Sequence, residues 1–155
     1  MPHFTKVALE RSLEQREIGY RHMPELGGLR KPEPDSINTG WRNASFRGYA
    51  DHMQTEEFKQ GIERLIASTS ALAGEVGVQR RVGPTSIGTG YGAVMCAEAV
   101  PWRCHRSLLA DALTVRGVDV RHIIDKSEPS RHALTAFAWV DDGRITYPAP
   151  DTLPI

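Results

Sequence analysis

Between Gly92 and Ile123 the hydrophobic spacing changes twice, and this constrains the fold more than any other stretch of the chain. Gly92-Ala93-Val94-Met95-Cys96 is an apolar run of a length that suits a buried strand. Leu108, Leu109, Ala112, Leu113 and Val115 then recur at helical spacing, with Gly117 in place as the C-terminal cap residue. Val118-Asp119-Val120-Arg121-His122-Ile123 alternates like a strand. Strand, helix and strand in succession predict a parallel pair joined by a right-handed crossover.

The remaining segments fit the same class. Leu9 and Leu13, with Val7 and Ala8 beside them, predict a helix from Thr5 to about Arg16, ended by Gly19. Tyr20-Arg21-His22-Met23 reads as a short strand, and Pro24-Glu25-Leu26-Gly27-Gly28 as a loop. From Arg30 to Gly48 the turn formers Pro32, Pro34, Asn38, Gly40 and Asn43 predict a long irregular tract. Trp41, Phe46 and Tyr49 alternate there with Arg42 and Arg47, which predicts an ordered loop folded over a site. Glu56 and Glu57 open a helix whose apolar face is Phe58, Ile62, Leu65 and Ile66, running to about Leu72. Gly74 to Gly90 reads as an inserted loop. Near the end, Leu134 to Val140 and Arg144 to Tyr147 flank Asp141-Asp142-Gly143, a hairpin signal. The expectation is one α/β domain over residues 1–155: a mostly parallel sheet flanked by helices, with a C-terminal hairpin.

Charge and apolar content narrow the function. Lys and Arg total 19 against 19 Asp and Glu, so the net charge of zero argues against a mainly electrostatic nucleic-acid binder. Nucleic acid stays open as a partner without being indicated. No window reaches the ~18 apolar residues of a membrane span, and Met1 to Lys6 lack a secretory core. Cys96 and Cys104 therefore read as reduced thiols of a cytoplasmic protein. Arg outnumbers Lys by 15 to 4. Guanidinium forks suit phosphates and carboxylates, although codon usage in a GC-rich genome gives the same excess.

Candidate chemistry gathers at one junction. Ligands of open α/β sheets collect where strands end and helices begin. Cys96-Ala97-Glu98 and Arg103-Cys104-His105-Arg106 occupy such a place. A helix N-terminus and three cationic neighbours favour a thiolate, so Cys104 is expected to titrate low and act as nucleophile or redox thiol. His105 would carry the proton and Glu98 serve as general base. A buried apolar role for Cys104, and ion pairing of Glu98 with Arg103 or Arg106, stand beside those readings. Trp102 fits stacking on a planar ligand or simple packing. Arg42, Arg47, Arg103 and Arg106 would hold a small anionic or nucleotide-like ligand.

Familiar motifs do not decide the matter. Cys96-x6-Arg103 is one residue too long for a phosphatase loop, and Cys104-His105-Arg106-Ser107 is only a short match to a thiol redox site. Cys96, Cys104 and His105, with His22 or His122 as a further ligand, make zinc a candidate without Cys-x2-Cys regularity. No P-loop or GxGxxG occurs, so no organic cofactor is expected.

Asn38-Thr39-Gly40-Trp41-Arg42-Asn43, Phe46-Arg47-Gly48-Tyr49-Ala50, Met95-Cys96-Ala97-Glu98 and Arg103-Cys104-His105-Arg106-Ser107 resemble the signature of domain of unknown function family 488. Pro24-Glu25-Leu26-Gly27-Gly28 resembles the loop after that family's third strand. The resemblance spans about Phe4 to Pro148. It implies a Rossmann-like domain without a settled activity, with recurrent polar positions at Glu25, Arg42, Asn43, Arg47, Tyr49, Cys96, Glu98, Cys104, His105 and Arg106. Family members usually begin with a Gly-His-Ser strand, a helix and an Asp-Val-Arg strand, none of which precedes Met1. A domain shortened in this way is expected to expose strand edges and self-associate. Two readings follow: an enzyme built on Cys104, or a non-catalytic module that binds a nucleotide, nucleic acid or metal.

Overall fold

The chain is described here by a computed structural model, covering residues 5–74, 91–96 and 104–149. Helix α1 (Lys6–Glu14) starts where the Thr5 hydroxyl accepts from the Ala8 N–H, yet buries none of its residues. A short 3-10 turn, Pro24–Leu26, sets Leu26 into the core. Helix α2 (Ala44–His52) is capped by Asn43, whose side chain accepts from the Ser45 and Phe46 N–H groups at 2.8 and 3.3 Å. Helix α3 (Glu56–Gly74) carries both glutamates in its first turn, at the positive end of the helix dipole.

Helix α4 (Arg106–Val115) is the hub. Its residues from Leu108 to Leu113 are all buried, among Leu26, Tyr49, Phe58, Ile62, Ile145 and Tyr147. Gly117, at φ +80°, ends it as the spacing predicts.

The strands are short and antiparallel. Strand β1 (Arg121–His122) pairs with β2 (Ser130–Arg131), Arg121 opposite Arg131. Strand β3 (Trp139–Asp141) pairs with β4 (Arg144–Thr146), Val140 opposite Ile145. The turn between them holds Asp142 at φ 44° and Gly143 at φ 76°, the two left-handed residues that a tight hairpin of this hand requires.

The described residues do not form the expected Rossmann-like parallel sheet. Among the described residues there are two sheets, each of two antiparallel strands, and no parallel pair. Gly92 to Cys96 has no regular secondary structure and no ladder, and Tyr91 and Met95 are 86% and 57% exposed. Parallel strands are covered on both faces, and an apolar run cannot say whether neighbours exist to cover it. The alternation at Val118–Ile123 supports only a two-residue pairing with β2, so no crossover forms. Tyr20 to Met23 is likewise unpaired, and the irregular tract ends earlier than expected because Asn43 starts α2. The hairpin stands, in a shorter form. Residues 75–90, which carry most of the expected inserted loop, lie outside the described residues. No helix among the described residues is long and apolar enough to cross a membrane.

Candidate functional site

Cys104 precedes α4 and is 4% exposed. Its Sγ accepts from the Arg106 N–H at 3.5 Å, through the first turn of the helix. The adjacent His105 turns its Nδ1 to within 3.5 Å of the same sulfur. Half-buried Cys96 enters from the irregular segment 91–96. The Sγ atoms of Cys96 and Cys104 and one ring nitrogen of His105 all lie within 4.8 Å of one another. Two thiols and an imidazole converging in this way can hold a metal ion.

Burial dominates the electrostatics of this cluster. It pushes the Cys104 thiol up, and Cys96 pushes it further, against the opposing Arg106 N–H and guanidinium. The low-titrating thiolate expected from the helix end and its flanking cations is thus opposed, because desolvation outweighs the Arg106 N–H and guanidinium together. Burial and Arg106 push the His105 imidazole down, which keeps a ring nitrogen available as a ligand.

One family model spans the residues of this cluster. Residues 1–73 and 85–113 match the family model described as domain of unknown function DUF488. The chain belongs to the DUF488 family. No curated protein and no solved structure matches it.

In this DUF488 chain a glycine shapes the site. A Cβ on Gly28 would lie 2.4 Å from His105 Nδ1, so only glycine lets the imidazole pack flush on the loop. Tyr49 covers another side of the ring, its centroid 4.9 Å away. It is fully buried and donates its hydroxyl to the Leu26 carbonyl at 3.0 Å, which makes it a wall of the site. Burial pushes that phenol up.

Other sequence candidates have different neighbours. The Glu25 carboxylate takes the Arg64 guanidinium at 2.7 Å, which holds its carboxyl below the usual value. The Glu25 carbonyl meets His52 Nε2 at 2.7 Å. Asn43 is the cap of α2. Arg42 is exposed and Arg47 half-buried, and neither guanidinium makes a hydrogen bond or ion pair among the described residues. Of the aromatic tract, Tyr49 reaches His105, whereas Trp41 packs on Phe46, Phe137 and Tyr147 at 4.8, 4.9 and 5.6 Å. Glu98, Trp102 and Arg103 lie outside the described residues.

The sequence reading missed a second polar centre on α4. Asp111 is fully buried and accepts from His132 Nε2 at 2.8 Å, Thr135 N–H at 3.0 Å, Thr135 Oγ1 at 2.7 Å and Tyr147 hydroxyl at 2.8 Å. All four partners donate, which suits an acceptor-only carboxylate. Behind it, His132 Nδ1 and His122 Nε2 are 2.8 Å apart. The signal was one aspartate inside the apolar face Leu108, Leu109, Ala112, Leu113.

Proposed function

We propose that this DUF488 domain binds zinc through Cys96, Cys104 and His105. The observation that carries this reading is the 3.5 Å between Cys104 Sγ and His105 Nδ1. Tetrahedral zinc, with Zn–S of about 2.3 Å and Zn–N of about 2.0–2.1 Å, places such atoms about 3.6 Å apart. Burial and the second thiol make the Cys104 thiolate costly in the metal-free site, and a divalent cation reverses that cost. Binding therefore displaces thiol protons to solvent. Three protein ligands are the number of a catalytic zinc site, which leaves a position for water or substrate. With Arg106 beside the cluster, the exchangeable ligand that fits is a small anion. A cytoplasmic location, where thiols stay reduced, suits the pair.

A second reading, Cys104 as nucleophile or redox thiol, is favoured by the helix N–H that Sγ accepts from Arg106. Zinc content and thiol titration on one purified sample separate the two. Zinc binding predicts stoichiometric zinc, thiols shielded until a chelator is added, and loss of metal in Cys96→Ser and Cys104→Ser. Metal-free protein whose Cys104 alkylates rapidly below a free cysteine's range overturns it in favour of the nucleophile. Cobalt substitution tests the open position: inorganic phosphate should change the visible spectrum of the cobalt protein.

A further inference from the structure

A groove of about 260 Å³ opens between α3, α4 and the segments 91–94 and 118–123. Leu65, Ile66 and Leu109 give it an apolar floor, and Arg106, Arg121 and His122 line it as well. His122 is the outer end of the chain of hydrogen bonds that begins at Asp111. We propose that His122, backed by His132 and Asp111, is the proton-accepting residue of a second site in this groove, which takes an anion with an apolar body.

The hydrogen bonds fix the tautomers. His132 donates its Nε2–H to the Asp111 carboxylate, so in the neutral ring its Nδ1 carries a lone pair. His122 must then donate its Nε2–H to that nitrogen, which leaves its own lone pair on Nδ1. That Nδ1 has no hydrogen-bond partner among the described residues. A purely structural anchor for α4 would be complete with His132, Thr135 and Tyr147; the second imidazole adds only a path outward.

The path balances. A proton taken up at His122 Nδ1 forms one N–H bond as the O–H bond of hydronium, or of a bound monoprotonated phosphate, breaks. The imidazolium donates its Nε2–H to His132 Nδ1, and the Asp111 carboxylate orients His132 and stabilises the charge without being protonated, as in a Ser-His-Asp arrangement. The charged groups that act on His122 are Arg106 and Asp111 from α4 and His132 beside β2; Arg121 and the carboxylate of Asp119 line the same groove. Arg121 and Arg131 are each held by Asp119 at 3.1 Å. Burial, His132 and Arg106 push the His122 imidazole down while Asp111 pushes it up, so the neutral acceptor form is favoured in the empty groove. An anion entering beside Arg106 offsets its repulsion and raises the affinity of His122 for a proton.

Nitrogen-detected NMR of the wild-type domain, with phenyl phosphate as probe, tests both halves. The relay predicts His122 as the Nε2–H tautomer, a downfield His132 Nε2 proton, and titration of His122 below a free imidazole. Asp111→Asn should lower that titration further and erase the downfield proton; the wild-type tautomers decide the matter if this variant fails to fold. The site predicts a saturable shift of His122 with phenyl phosphate and a higher titration midpoint in its presence. A His122 that titrates as a free imidazole, or carries its proton on Nδ1, overturns the relay. An intact relay that millimolar phenyl phosphate leaves unmoved overturns the ligand site. Zinc content is read separately, so failure here and failure at the thiol cluster are distinguishable.

Discussion

Helix α4 buries polar chemistry at two places about two turns apart, and the two are solved differently. At its start Cys104 has one helix N–H, a neighbouring imidazole and a second thiol, and burial pushes its proton affinity up. In its middle Asp111 has a donor for each of four contacts. The aspartate ties α4 to the C-terminal segment and leaves nothing for an added ligand. The thiol cluster brings two sulfurs and an imidazole within 4.8 Å of one another, the convergence on which the proposed zinc site rests.

The largest expected effect comes from breaking the satisfied half. Asp111→Ala leaves four buried donors facing a void and should cost about 3–5 kcal/mol in urea unfolding. A loss comparable to that of a surface substitution would show the network to be dispensable. Tyr147→Phe keeps the ring and removes one donor, so it should cost about 1.5–3 kcal/mol. That substitution should leave zinc content unchanged, because Tyr147 touches the aspartate and not the thiols.

Gly28→Ala probes the unsatisfied half. The added methyl cannot coexist with His105 where it stands, so zinc affinity should fall by about 10- to 100-fold, with a smaller loss of fold stability. Competition with a chromogenic chelator measures the first and urea unfolding the second. Equal affinity in both proteins would remove His105 from the ligands.

The smallest effect is one of pH. Folding raises the Cys104 thiol above its unfolded value, so its contribution to stability is whole below that ordinary value and is lost as pH rises through the raised one. Metal-free protein should therefore lose stability through the alkaline range, and Cys104→Ser should flatten that slope. A slope unchanged by the substitution would mean that the thiol is not desolvated.

Local elements were legible where the cause is local. Phe58, Ile62, Leu65 and Ile66 marked α3, the apolar spacing from Leu108 to Val115 marked α4, and Asp142-Gly143 marked the hairpin turn. Helix α2 was hidden because Asn43, Gly48 and the prolines before it outweigh its short run of helix formers, and its formation rests on the Asn43 cap and on burying Tyr49. Of the site, adjacent residues such as Cys104 and His105 were visible together. Gly28 was readable only as a turn former.

Strand partners and polar partners were decided by the tertiary structure alone. The run at Gly92 and the alternation at Val118 announce extended backbone in the sequence, but a ladder needs a second strand, and none lies beside Gly92 to Cys96 among the described residues. Whether a buried aspartate is an error or an anchor depends on donors supplied from Thr135, His132 and Tyr147, far along the chain. The same holds for the thiol: charged neighbours in sequence favour a thiolate, and burial reverses the preference because desolvation is set by everything packed around the sulfur, not by the residues bonded next to it.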